Sequence, residues 1–244
     1  MCHWGWGDIQ RTGTATGWLK EMGYHDFSGS GIVHLLGGTV AAVGCILIGP
    51  RKGRFSDDGS VVSIPGHSIP LSFIGGIMLI FGFLAFNAGA EVNMICLSEL
   101  YNRKNSALQV KNIHKRFDIY LKLTITEPND ASTIGRILHV TLAGCCSGGL
   151  SLLFFNKWMR TDNRWTLSLT LNGCIVGVVA QCGGCDKYHI WSALLIGMFA
   201  ALTYMGISKL MLSLKLDDPL DAVAVHAGGG KHYVNQITYC EVCI

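Results

Sequence analysis

Five separate stretches of this chain are mainly apolar over eighteen residues or more: 28–49, 69–91, 134–155, 167–184 and 189–212. At 1.5 Å of rise per residue, such a run crosses the ~30 Å hydrocarbon core of a bilayer. The sequence therefore predicts an all-α, multi-helix transmembrane bundle occupying 1–230, followed by a divergent tail at 231–244. A sixth run starts at Pro219, a residue suited to a first helical turn, and stops short near Gly230. Composition agrees. Charged residues make up only 14% of the chain, against about 25% in a soluble domain. Glycine is abundant (31) and proline scarce (5), which suits closely approaching membrane helices.

The remaining composition excludes several classes. A net charge of +3 is too small to argue for nucleic acid. Of ten cysteines, Cys45, Cys145, Cys146 and Cys174 lie in apolar runs, where thiols serve as small packing residues. The pairs Cys182–Cys185 and Cys240–Cys243 lack a second pair at zinc-finger spacing. Without an HExxH or comparable ligand set, a metalloenzyme is disfavoured and no cofactor is expected. Residues 1–27 carry no signal-like apolar core.

Basic residues in short loops set orientation. Loops 50–68, 156–166 and 213–218 hold Arg51, Lys52, Arg54, Lys157, Arg160, Arg164 and Lys215, whereas 185–188 holds only Lys187. The first group is expected in the cytoplasm, so the first helix runs inward and the sixth outward. Segment 92–130 breaks the pattern. It is rich in Lys and Arg yet falls on the outer side, and reads either as an extracellular insertion outside the bundle or as sequence foreign to the rest.

Two histidines lie within these runs, each eight residues after an aspartate: Asp26 and His34, Asp218 and His226. Eight helical residues rise ~12 Å, and ionisable groups at that depth point to function and to a partner. Helices entering from opposite faces bring the two imidazoles to similar depth, the arrangement of an inverted repeat with a midplane site. Each neutral ring offers one donor and one acceptor, which suits a small polar solute or a proton. The alternative is a pair of histidines satisfied within a helix bundle.

Five ordered motifs then carry a resemblance. Trp4-Gly-Trp6, Asp26-Phe-Ser-Gly-Ser-Gly-Ile-Val-His34, Gly49-Pro-Arg-Lys-Gly-Arg-Phe55, Phe81-Gly-Phe-Leu-Ala-Phe-Asn-Ala-Gly89 and Asp217-Asp-Pro-Leu-Asp-Ala-Val-Ala-Val-His226 together resemble the ammonium transporter (Amt/Mep/Rh) family. The third motif is closer to the plant and invertebrate members than to the Rhesus glycoproteins. The resemblance implies a homotrimer in the plasma membrane, with one narrow pore per subunit and eleven helices in two inverted halves of five plus one. On that plan this chain looks like a fragment, from the family's fifth helix to the start of its tenth, and is expected not to conduct alone.

The resemblance also implies roles. His34 and His226 are the pore's twin histidines. Trp6 is the aromatic wall of an outer vestibule that recruits NH4+; the bland reading is an interfacial tryptophan. Phe86 is one of two gating rings, or else an ordinary core aromatic. Asp26 orders the vestibule backbone, a role compatible with an N-cap. Asn87 is a packing position near the site, and Asp218 and Asp221 lie at the cytoplasmic start of the tenth helix. Ala90 stands where many members carry a vestibule serine, which weakens external recruitment. The expected function is passage of NH3, with or without a relayed proton, through the twin-histidine pore. The alternative is a non-conducting or sensor-like regulatory membrane protein. The partners expected are ammonium or ammonia and the bilayer.

Overall fold

A computed structural model describes residues 2–7, 15–104, 128–159 and 166–231, with side chains left out at 92–104, 128–131 and 159. The described elements are helical: α1 (Cys2–Trp6), α2 (Trp18–Glu21), a π-helical segment π1 (Ser30–Leu35) running straight into α3 (Leu36–Ile48), α4 (Ile69–Lys104), α5 (Pro128–Met159), α6 (Leu167–Gln181), α7 (Ile190–Ser213) and a second π-helical segment π2 (Val223–Ala227). Between α3 and α4 the loop makes a single antiparallel bridge, Phe55 to Val61.

Four of these helices are long and apolar enough to cross a membrane: Ser30–Ile48, Ile69–Glu91, Ser132–Trp158 and Ile190–Ser213. Their outer faces carry Val40, Leu47, Leu71, Met78, Phe81, Phe154 and Leu195, all exposed. Such a surface suits lipid or other membrane helices, since exposed apolar patches this extensive are rare on soluble monomers. The chain is a multi-pass membrane protein.

The fourth expected run, 167–184, departs from a simple span. Its helix α6 has 15 residues, a rise of about 22 Å. From Leu171 onward most of its side chains are buried, so it is a central strut enclosed by its neighbours rather than a lipid-facing crossing. Glycine makes that enclosure possible. A Cβ on Gly173 would lie 3.0 Å from the Gly149 Cα, and one on Gly177 3.4 Å from the Gly148 Cα. The α5 and α6 backbones therefore touch, a close approach that only small residues permit. Ile137, Val140, Leu152, Val176, Val179, Ala193, Ala200 and Tyr204 form one apolar core with Ala224 and Val225 of π2.

Three sequence-based boundaries need correction. The last helical stretch does not open at Pro219: residues 219–220 form a turn, Asp221 adopts a left-handed φ of 55°, and π2 starts at Val223. The Asp218 carboxylate accepts the Val223 N–H at 2.7 Å, so the acid reaches over the turn to satisfy a helix start that proline would otherwise have opened. Helix α4 runs past residue 91 to Lys104, and α5 begins at Pro128, so both edges of the 92–130 segment are helical. Residues 105–127 and the tail from 232 onward lie outside the described residues.

Candidate functional site

The two Asp-to-His spacings produce two matched structures. Both histidines fall in the π-helical segments, next to last in each; π-turns inside helices recur at functional sites. The aspartates anchor the starts of these segments. Asp26 accepts four backbone N–H groups: Gly29 (3.0 Å) and Ser30 (2.8 Å) on Oδ1, Gly31 (2.9 Å) and Ile32 (2.8 Å) on Oδ2. Tyr24 donates its hydroxyl to Oδ2 at 3.2 Å. Burial pushes the Asp26 carboxyl up, and the four backbone donors pull it down. Asp26 thus caps the helix from three residues before Gly29, the residue that holds the cap position. Asp218 does the matching job for π2 with a single bond to Val223.

The segments cross antiparallel and in contact. A Cβ on Gly38 would collide with the backbone nitrogen of Ala227, and one on Gly230 would meet the Ser30 carbonyl oxygen at 2.5 Å and the Leu35 nitrogen at 2.7 Å. Rising residue numbers on one segment thus meet falling numbers on the other, and glycine at both crossings lets the backbones touch. His34 and His226 meet there, Nδ1 to Nδ1, at 3.2 Å. Their rings are parallel to within 10°, with centroids 5.3 Å apart. The nitrogens are closer than the centroids by 5.3 − 3.2 = 2.1 Å, so the rings meet edge to edge, as an N–H···N hydrogen bond requires, and not face to face. One Nδ1 carries the proton and the other supplies the lone pair.

Two aromatic rings lie against His34. Phe83 lies 5.4 Å and Phe86 5.8 Å from the His34 ring, centroid to centroid, and they meet each other edge-on at 6.2 Å. His34 is 7% exposed. On its far side, Nε2 lies 3.5 Å from the sulfur of Cys182. Sequence reasoning missed Phe83 and Cys182. Phe83 stands three residues before Phe86 on one helix face, a spacing that would have nominated it. Cys182 reaches His34 from 148 positions away, and no local pattern announces that contact.

The other expected residues lie around this centre. Trp6 donates its indole N–H to the Asp26 carbonyl at 2.5 Å, so it is fastened to the start of the His34 segment. Ala90 lies one turn beyond Phe86 on α4, partly exposed. Asn87 is buried and donates to Thr141 Oγ1 at 3.1 Å, tying α4 to α5. Asp221 accepts the Tyr204 hydroxyl at 2.6 Å and the Ser208 hydroxyl at 3.1 Å, holding the turn before π2 against α7. Asp217, beside them, is gripped by Arg51, through Nε at 2.6 Å and a second guanidinium nitrogen at 2.9 Å, and by Arg54 at 3.2 Å. These arginines hold its carboxyl down at about 2. Among the described residues, no group of three His, Cys, Asp or Glu is placed to hold a metal ion.

The sequence model of the Ammonium Transporter Family matches residues 1–107 and 121–232. The chain belongs to that family. Ammonium transporter 1 of Caenorhabditis elegans is 36% identical over 94% of this chain, and ammonium transporter 1 member 1 of Arabidopsis thaliana is 32% identical over 94%. The chain spans about two-fifths of the length of these curated relatives (38% and 41%). A solved structure described as a sensor Amt protein is 28% identical, with a TM-score of 0.75, over 97% of this chain and 49% of that one. Candida albicans Mep2, at 22% identity, shares the fold with a TM-score of 0.69 over 96% of this chain and 41% of its own. This segment of an ammonium transporter family member holds both histidine-bearing π-helical segments and the helices packed against them.

Proposed function

We propose that this segment forms the histidine-bearing part of an ammonium-conducting pore. The edge-to-edge contact of His34 and His226 at 3.2 Å, with Phe83 and Phe86 against the His34 ring, carries the reading. NH4+ is recruited at Trp6. Because the Trp6 N–H is engaged by the Asp26 carbonyl, the ring face is what remains for the cation, as a cation–π contact. Ala90 adds no hydroxyl there, so recruitment is weaker than a serine would give. A desolvated cation is costly at bilayer depth, so the ion gives its proton to vestibule water before the phenylalanines. NH3 then passes along the histidine pair, whose remaining ring nitrogen replaces a lost water hydrogen bond. The proton follows separately or not at all. The complete assembly is a homotrimer in the plasma membrane, its apolar faces shared between lipid and neighbouring subunits, with no cofactor.

A second reading takes support from the solved structure described as a sensor: the same vestibule binds ammonium and reports it without conduction. Uptake separates the two. A full-length relative carrying this segment in place of its own is reconstituted in liposomes and tested with labelled methylammonium. Saturable uptake that ammonium competes away supports the pore, whereas ammonium binding without uptake supports the sensor.

A further inference from the structure

Resting on the pore reading above, we propose that Cys182 is a positioning residue that fixes the His34 proton on Nε2, making His34 Nδ1 the acceptor and His226 Nδ1 the donor in the histidine pair. Both nitrogens of His34 are spoken for: Nδ1 faces His226 at 3.2 Å and Nε2 faces the Cys182 sulfur at 3.5 Å. A neutral imidazole carries one proton, so whatever sits at Nε2 decides what Nδ1 offers.

The surroundings of the sulfur decide it. Cys182 is fully buried and follows α6 directly. Its thiol donates to the carbonyl of Val178, one turn back, at 3.4 Å. A thiol has a single S–H, and a carbonyl oxygen can only accept it. With its proton given to Val178, the sulfur has only lone pairs for its other neighbours. His34 Nε2 makes a hydrogen bond there only as N–H donor. The His34 Nδ1 is then bare, and His226 donates to it. His226 Nε2 is left as a lone pair, so the pair is polarised in one direction and its far end presents an acceptor to the N–H groups of ammonia. Cys182 meets neither the solute nor the His226 ring; it acts through His34.

Tautomers are read directly by nitrogen and carbon shifts of labelled histidine in solid-state NMR. The 244-residue chain is reconstituted in lipid bilayers, and the two signals are assigned by their loss in His34→Gln and His226→Gln. The proposal expects Nε2–H at His34 and Nδ1–H at His226. Cys182→Ala removes the acceptor, and the Nε2–H to Nδ1–H ratio at His34 should fall about threefold to tenfold, the effect of one hydrogen bond. Cys182→Ser keeps a hydroxyl that can hold Val178 and accept from Nε2, and should restore the ratio. A ring that is merely packed against sulfur would not distinguish Ala from Ser in this way. Nδ1–H at His34 in the parent chain, or an unchanged ratio in Cys182→Ala, overturns the proposal. Methylammonium uptake by the full-length relative carrying this segment separates the failures. If His34→Ala abolishes uptake while the tautomers ignore Cys182, only the role of Cys182 is lost. If His34→Ala conducts normally, the pore reading is lost as well.

Discussion

Asp217 and Asp26 are both buried carboxylates, held by opposite means. Asp217 is surrounded by guanidinium groups, and its carboxyl is lowered to about 2. A carboxyl whose folded value lies below its unfolded one stabilises the fold above the unfolded value, near 4, and loses that contribution as pH falls toward the folded one. The thermal unfolding midpoint in detergent should therefore fall between about pH 4 and 2, and Asp217→Asn should remove that part of the decline; a variant that follows the parent curve contradicts the clamp. Asp26 relies on backbone N–H groups, four of them on two oxygens. Asn has one acceptor oxygen and turns an NH2 toward the others. Asp26→Asn should cost about 2–3 kcal/mol, from charge-assisted bonds lost in a buried site, read as a lower unfolding midpoint at pH 7. The roles of these acids were legible in part. Their spacing to the histidines marked Asp26 and Asp218, because a cap and a π-helical turn fix a constant separation. Cys182 escaped, because a thiol 148 positions away leaves no periodic trace; Phe83 left one, its three-residue spacing to Phe86, among many other apolar residues.

At the scale of elements, the decisive event is the crossing of the two π-helical segments. Adjacent glycines of α3 test it. Gly38 is pressed against the Ala227 backbone, whereas a Cβ on Gly37 meets nothing within 4 Å. Gly38→Ala should separate the crossing and cost about 1–3 kcal/mol, as overpacking does. Gly37→Ala should be neutral or stabilising by up to about 1 kcal/mol, from helix propensity. Equal unfolding midpoints for the two variants would contradict the crossing. The long helices were readable because bilayer thickness fixes their length. The shortness of α6 and the turn after Pro219 were not. An enclosed helix needs no spanning length, and Asp218 overrides the proline signal through a bond to Val223 that forms only when the chain bends.

For the whole molecule, the two π-helical segments bring His34 and His226 into a single hydrogen-bonded pair, and the proposal is that ammonia passes along it. The anchoring aspartates, the glycine contacts, the phenylalanine walls and the Cys182 sulfur all position that pair. The direct measurement is methylammonium uptake and the accompanying current in liposomes, by a full-length relative carrying this segment, comparing the parent with the His34→Ala, His226→Ala double variant. Removing two polar groups from helix interiors should leave insertion intact. The account predicts correctly inserted protein whose uptake is abolished or whose current per molecule taken up is changed. Parent-level uptake with undiminished proton coupling in the double variant would contradict it.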